Sequence, residues 1–417
     1  MAIVNGTASG ELIQSGDGDV VFGGDGADTL VAALGAASGG NLHGGFGDDS
    51  LVGAGLADSL SGGSGQNTLA GGAGDDHFYI LDHSPNPDGG YGSNLIHGGD
   101  GIDTVNFGQG FGEPGYVFVR AVVDLSTGMA TTGSYINVGT ILGQGGDTLI
   151  GIENVIGSQT GDSIAGSDGA NRLEGQLGPD SIFGRGGDDT IYGGNSTLAD
   201  VDTRNYLSGD AGNDLVIGAA GIDTVMGGAG ADTLNDISGS NYIRGEDGDD
   251  SLWGGSDFDD VHGNTGNDTA RGNGGDDWVV GGQGNDMLFG DAGGDIVYGN
   301  LGDDTQFGGD GFDWVRGGQG NDSLDGGAGD DWLWGDRGDD TVTGGAGADI
   351  FHIFTGAGLD RVTDFNVAQG DRVVIDYGTY TVSQVGADTV VDLGGGDRMV
   401  LVGVSATNLP AGWISTL

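Results

Sequence analysis

The chain has 417 residues, 98 of them glycine and none cysteine, and its 63 acidic residues against 11 basic ones give a formal charge of -52. Such a charge excludes nucleic acid and anionic membranes as partners, since both are repelled over roughly a Debye length of ~8 Å. The absence of cysteine excludes disulfide staples, thiolate metal sites and cysteine nucleophiles. Aspartate accounts for 58 of the acidic residues and glutamate for 5, and there is no lysine. A merely solvated surface would use Glu as readily, whereas a tight turn that aims a carboxylate at an ion held by its own backbone favours the shorter side chain. Divalent cations are therefore the expected partner. A disordered acidic tail would show no regular spacing, and here the spacing is regular.

The repeating unit has nine residues, with Gly at position 4, Asp at position 6 and a large apolar residue at position 8. It reads as a six-residue turn followed by a three-residue strand, position 8 pointing inward and positions 7 and 9 outward. Two units make one coil, so alternate units build two parallel sheets around a thin aliphatic core. The fold class expected is all-β: blocks of parallel β-roll, a right-handed β-helix, with small antiparallel caps. A core this thin does not offset chain entropy alone.

In chain order, the start Met-Ala-Ile-Val-Asn-Gly has no basic stretch leading into an apolar run, and no apolar segment of about 18 residues occurs. Export is expected to proceed without a removable N-terminal signal. Residues 1–106 form a first roll block, with units at 23–31, 44–79 and 89–106 that place Asp28, Asp49, Asp58, Asp76 and Asp103 at position 6. Asn67 and Asn94 replace two aspartates there, predicting weaker sites. Residues 107–156 change character: 117–125 reads as a longer strand, polar Thr- and Gly-rich sequence follows, and the insert ends as a cap leading into the main roll.

The main roll is expected over 157–352. Units at 157–192 carry Asp162, Asp180 and Asp189, with Asn171 as the exception, and 193–208 bulges as a loop. From 209 to 352 the chain divides into 16 nonapeptides without insertion or deletion. Position 4 is Gly in 15 of these, Asp257 excepted, and position 8 is large and apolar in 14, Ala270 and Gln306 excepted. Position 6 is Asp214, Asp223, Asp232, Asp250, Asp259, Asp268, Asp277, Asp286, Asp295, Asp304, Asp313, Asp322, Asp331, Asp340 and Asp349, with Asn241 the exception. Residues 353–417 alternate apolar and polar positions, as in Thr389-Val390-Val391-Asp392-Leu393, which predicts a small antiparallel cap.

Units such as Gly317-Gly318-Gln319-Gly320-Asn321-Asp322-Ser323-Leu324-Asp325 resemble the repeat of the RTX (repeats-in-toxin) family. The resemblance implies calcium bound between successive turns on one edge, held by the position-6 carboxylate and turn carbonyls, a donor set suited to a hard ion that takes six to eight oxygens. It assigns the position-6 aspartates named above as metal ligands. Residues 147–158 resemble the lead-in that precedes such repeats. Asp360-Arg361-Val362-Thr363-Asp364-Phe365-Asn366 and the segment after Gly370 resemble the region closing the roll in serralysin-type secreted proteases. By that resemblance the C-terminal region is an uncleaved address for a type I (ABC transporter) secretion channel; a terminal cap without a secretion role is the alternative.

A catalytic role finds no motif. None of His43, His77, His83, His97, His262 and His352 sits in an H-E-x-x-H pair, and there is no G-x-S-x-G elbow or P-loop. Paired carboxylates recur with the repeat, as metal ligands would. On even-numbered units of the 209–352 run, position 7 reads Trp278, Ile296, Trp314, Trp332 and Ile350, and position 9 adds Trp334. One sheet thus carries an aromatic ladder, with Trp278, Trp314, Trp332 and Trp334 as candidate partner contacts, unless a cap or the first block folds over it. The expected function is a secreted protein that folds on calcium outside the cell and serves as an adhesive or structural component of a cell surface, biofilm or surface layer. Carbohydrate binding or modification through the aromatic face is the alternative.

Overall fold

The computed structural model describes residues 2–80, 93–107, 119–136, 140–194 and 204–417. The start of the unit at 89–97, the first two residues of the strand expected at 117–125 and most of the extension at 193–208 lie outside the described residues. The chain forms two compact units, Met1–Ala211 and Gly212–Leu417. The division falls inside the stretch that the repeat pattern reads as one roll.

In Gly212–Leu417, successive nonapeptides alternate between two parallel sheets. One takes Leu215–Ile217, Thr233–Asn235, Ser251–Gly255, Thr269–Gly274, Met287–Ala292, Thr305–Asp310, Ser323–Ala328 and Thr341–Ala346; the other takes Thr224–Ala229, Tyr242–Asp247, Asp260–Thr265, Trp278–Gln283, Ile296–Leu301, Trp314–Gln319, Trp332–Arg337 and Ile350–Phe354. Within each set every partner lies 18 residues on, as in Met287↔Thr305 and Trp314↔Trp332. Two units per coil is thus the observed register. Position 8 fills the space between the sheets: Leu252, Val261, Ala270, Val279, Leu288, Val297, Val315 and Leu324 are all buried.

Most strands here are twice the expected three residues, because positions 2 and 3 of the following unit also pair with the next coil, as in Asp291↔Gly309 and Ala292↔Asp310. Two positions in the turn have left-handed backbone, and they differ. At position 2, residues other than glycine occur with φ near 70–80°, including Asn264 (78°), Asp291 (74°) and Asn300 (79°), within reach of short polar side chains. At position 4, φ reaches 126° at Gly284 and 144° at Gly320, which only glycine adopts. A Cβ at Gly284 or Gly320 would also strike the carbonyl of Gly266 or Gly302 on the preceding coil.

The roll closes as expected on a small antiparallel meander. Thr381–Val385, Asp388–Gly394 and Asp397–Leu401 pair antiparallel in sequence. Asp397–Leu401 then runs parallel to Leu359–Val362, and Ile414–Thr416 caps Arg372–Tyr377.

Met1–Ala211 uses the same coil less evenly. Val20–Asp25, Asn41–Phe46, Ser59–Ser64 and His77–Tyr79 stack in parallel on one side, and Thr29–Val31, Ser50–Val52, Thr68–Ala73 and Leu95–Asp100 on the other. The insert then adds three antiparallel strands, Val119–Asp124, Met129–Ile136 and Thr140–Ile150. The end of the insert, expected as a cap, forms a coil of the roll itself: Thr148-Leu149-Ile150 pairs with Leu95-Ile96-His97, and Asn154–Ile156 lies between Thr104–Asn106 and Arg172–Glu174. The stacking continues because Leu149 and Val155 occupy the inward position and are buried.

Candidate metal centres

Each position-6 side chain follows directly on the glycine turn, and the turn folds it inward over its own loop. All the sequence-predicted ligands, from Asp28 to Asp349, are between 0 and 2% exposed. They form two files along Gly212–Leu417, one at each edge. In one file the amides of Asp268, Asp286, Asp304 and Asp322 donate to Oδ1 of Asp286, Asp304, Asp322 and Asp340 at 2.8–2.9 Å. In the other, Asp259, Asp277, Asp295, Asp313 and Asp331 donate to Oδ1 of Asp277, Asp295, Asp313, Asp331 and Asp349 at 2.8–3.1 Å. One carboxylate oxygen is therefore spent on holding the coils in register.

The other oxygen is not. Oδ2 of Asp268, Asp277, Asp286, Asp295, Asp304, Asp313, Asp322, Asp331 and Asp349 is buried without a hydrogen-bond partner. An unpartnered buried acceptor costs roughly 1–3 kcal/mol, more when charged. These oxygens point beside the position-1 glycine, where a main-chain carbonyl of the next coil converges. A Cβ built on Gly308 would lie 2.5 Å from Gly326 O and 2.6 Å from Asp313 Oδ2, and one on Gly326 would lie 2.6 Å from both Asp331 Oδ2 and Gly344 O. Among the described residues no three acidic, His or Cys side chains converge as a metal-binding group. What converges at each unit is instead one carboxylate plus main-chain oxygens, an all-oxygen set of the kind that suits calcium.

Burial is the main cause that raises the pKa values of these groups, and adjacent carboxylates add to it. The pKa is pushed up to about 7 for Asp250, Asp268, Asp286, Asp295, Asp322 and Asp331, and to about 6 for Asp277, Asp304 and Asp313. A cation between their members would favour the ionised form of the files.

Some coils close their own site. Where position 2 is Ala or Ser, its backbone N–H turns inward to the position-6 side chain: Ala54 donates to Asp58 Oδ2 at 2.6 Å, Ser158 to Asp162 Oδ2, Ala219 to Asp223 Oδ2 at 3.0 Å and Ser167 to Asn171 Oδ1 at 2.7 Å. Position-6 asparagines keep the ladder bond but present an amide that donates to main-chain oxygens, Asn171 Nδ2 to Glu153 O of the preceding coil at 2.7 Å and Asn241 Nδ2 to Gly239 O of its own turn at 2.8 Å.

The ladders also recruit residues outside the repeat pattern. Asn94 N donates to Asp147 Oδ1 at 2.7 Å, Asp103 N to Glu153 Oε2 at 2.8 Å, Asp180 N to Asn205 Oδ1 at 2.9 Å and Asp349 N to Asp371 Oδ1 at 3.2 Å. Asp147-Thr148-Leu149 and Asp371-Arg372-Val373 carry the signal of an Asp two residues before an apolar residue, but not the nine-residue spacing. Asp360, 1% exposed beside Asp340, has its pKa raised to about 9 by burial and by that neighbour.

The aromatic ladder is present on the second sheet. Trp314 and Trp332 stack at 5.1 Å, and Trp334 stacks on His352 at 4.0 Å. Asp376 reaches the lower end, bonding His352 Nδ1 at 2.7 Å and Trp334 Nε1 at 3.3 Å. Trp278 and Trp314 remain 48% and 42% exposed.

Stacked nonapeptide coils with a file of inward carboxylates at each edge define a calcium-binding parallel β-roll. The RTX calcium-binding nonapeptide repeat family matches residues 6–36, 52–79, 165–196, 201–235, 237–270, 271–306, 307–342, 316–351 and 326–362. The chain belongs to that family and binds calcium at multiple sites. No curated protein matches the chain. Among solved structures it is similar to the extracellular lipase LipA from Serratia marcescens, with 13% identity and a TM-score of 0.17, covering 93% of this chain and 39% of the lipase. The chain thus spans well under half of that protein's length. Among the described residues no helix is long and apolar enough to cross a membrane.

Proposed function

We propose that the chain is exported unfolded and folds on calcium outside the cell, where it serves as a structural or adhesive component of a surface or matrix. The observation that carries this reading is the row of buried position-6 carboxylates whose second oxygen lacks a partner. In this reading, the position-6 aspartates from Asp28 to Asp349 hold the ions with the turn carbonyls. Extracellular calcium sites bind at roughly 10⁻⁴–10⁻³ M; below that range the 63 acidic side chains repel one another and keep the chain expanded. Binding free energy is then folding free energy. Residues 353–417 supply the uncleaved address for a type I channel, and catalysis is no part of the role.

The test is a calcium titration of the chelated protein followed by circular dichroism and light scattering. The expected result is a cooperative gain of β structure between sub-millimolar and millimolar calcium, with scattering growing as folded chains associate. Full β structure in chelator at neutral pH would overturn the folding mechanism, and a folded but strictly monomeric product would overturn the assembly role. Export of a reporter fused to residues 353–417, with and without the channel, tests the address.

A second reading rests on the half-exposed Trp278 and Trp314. Indole faces at that exposure stack on sugar rings, so the sheet would bind an extended polysaccharide. Quenching of tryptophan fluorescence by surface polysaccharides, lost in Trp314→Ala, separates this reading from the first.

A further inference from the structure

The edge that runs through Asp223 and Asp259 loses its ordinary ligand at two successive coils. At the unit 218–226 position 2 is Ala219, whose N–H already occupies Asp223 Oδ2 at 3.0 Å. At the next unit on that edge, 236–244, position 6 is Asn241, which accepts from Asp223 N at 2.9 Å and turns its Nδ2 to Gly239 O. By the logic of the other units neither coil offers an open carboxylate oxygen.

The same unit departs from the repeat once more. Position 1, usually glycine, is Asp236. Its side chain is 3% exposed, Oδ1 accepts from Ile237 N at 2.6 Å, and Oδ2 has no partner. The carboxylate is directed at the preceding coil: around a Cβ built on Gly218 the three nearest atoms are all from the Asp236 carboxyl group. In the ordinary units that place beside position 1 belongs to Oδ2 of position 6, as Asp295 shows at Gly290 and Asp313 at Gly308. Asp236 thus delivers a carboxylate oxygen from a different position of the repeat to the gap where the usual oxygen is missing.

We propose that Asp236 is a calcium ligand in trans-register: it supplies, beside Gly218, the open carboxylate oxygen of a divalent-cation site that replaces the two ordinary sites lost to Ala219 and Asn241. Asp223, whose Oδ2 is bonded to the Ala219 N–H, offers no open oxygen but adds its negative charge near the site. Higher ligand charge in a rigid loop tightens calcium binding, so this site fills before the repeat sites and locks the first coils of Gly212–Leu417. The proposal rests on calcium binding at the edges, which titration of the unaltered chain tests by itself.

The experiment uses the full chain and counts bound calcium by native mass spectrometry and by calorimetric titration from the chelated state. Three variants are compared: Asp236→Asn, which keeps the volume; Asp236→Gly, which restores the repeat; and the double variant Asp236→Gly with Asn241→Asp, which restores the ordinary ligand. The expected result is one ion fewer in both single variants, a first binding step weakened about tenfold or more, and recovery of the count in the double variant. Unchanged count and affinity in Asp236→Asn would overturn the proposal. So would an Asp236→Gly variant that melts higher at an unchanged ion count, since Asp236 would then be a buried acid and nothing more. Failure of the unaltered chain to bind calcium would instead sink the underlying reading.

Discussion

The two compact units solve the same stacking problem with different regularity. Across 245–352 of Gly212–Leu417, ladder partners on each edge are always 18 residues apart. In Met1–Ala211 the corresponding steps run from Asp28 to Asp49, Asp49 to Asn67, Asn67 to Asn94 and Asn94 to Asp147, separations of 21, 18, 27 and 53 residues. Insertions as long as a three-stranded hairpin leave the ladder unbroken. The unit of stability is therefore the closed coil, an inward apolar side chain and a carboxylate or amide that accepts from the coil before. The spacing between coils is free.

Position 2 decides where a metal site stays open. The 263–352 run places Gly, Asn or Asp there throughout and Oδ2 stays unpartnered; Met1–Ala211 mixes both kinds, with Oδ2 of Asp28, Asp49, Asp76 and Asp103 unpartnered, the position-2 amide on Asp58 and Asp162, and Asn67, Asn94 and Asn171 removing the charge. The coils of Met1–Ala211 should depend on calcium less. Hydrogen exchange after chelation at pH 7.5 tests this most directly: amides of 263–352 are expected to lose protection outright, and those of 53–61 and 157–174 to retain more. Acidification should reverse the loss. Carboxyls with folded pKa values near 6–7 and unfolded values near 4 take up protons on folding, so the metal-free roll is most stable below about pH 4 and loses stability as pH rises through 6–7. Circular dichroism of the chelated chain from pH 8 down to 4 should show β structure returning. Equal protection in both regions would break the comparison.

Glycine at position 4 is expected to give the next largest effect. Gly284→Ala combines φ of 126° with a Cβ driven into Gly266 O, for a cost of about 3 kcal/mol or more. Asn300→Ala at position 2, φ 79°, should cost about 1 kcal/mol. Thermal melts in calcium compare the two; equal losses would mean that the turn relaxes around either.

Exchanging ligand types between the regions sharpens the comparison further. Asp286→Asn keeps the Oδ1 acceptor and removes the open oxygen, so the ladder should survive with one ion fewer and a loss of about 1–3 kcal/mol where calcium is 10 to 100 times its dissociation constant. Asn67→Asp should do the opposite in Met1–Ala211, adding an ion at a coil that now bonds its amide to Gly63 O and Asn94. An unchanged count in both would remove position 6 from the ligand set.

Much of this was legible in the sequence. The period gave the two-unit coil, position 8 the core and position 6 the files, because each of those roles is performed by one side chain at one place. Two things were not. Asp147, Glu153, Asn205 and Asp371 join the ladders across irregular spacings; Asp147 and Asp371 carry a local signal two residues before an apolar residue, but nothing in the sequence tells which coil, 22 to 53 residues away, each one adjoins. The meaning of position 2 was hidden as well, since whether its N–H meets the carboxylate depends on the sign of φ, a choice that Ala and Gly make differently.

The smallest expected effect comes from the one polar residue in the regular core. Gln306 stands at position 8 between Leu288 and Leu324 on its sheet and is fully buried. Its Nε2 donates to Arg316 O at 3.0 Å and, at 3.5 Å, to Gly317 O, but Oε1 has no partner. One good bond and one long one are made and one buried acceptor is left over, so the amide should be close to neutral or slightly destabilising relative to an apolar side chain of similar size. Gln306→Leu, which continues the leucine file, is expected to raise stability by about 1 kcal/mol in calcium melts without changing the ion count. A loss of stability would mean that the bond to Arg316 O outweighs the orphaned oxygen, and that position 8 contributes to coil stacking through more than apolar volume.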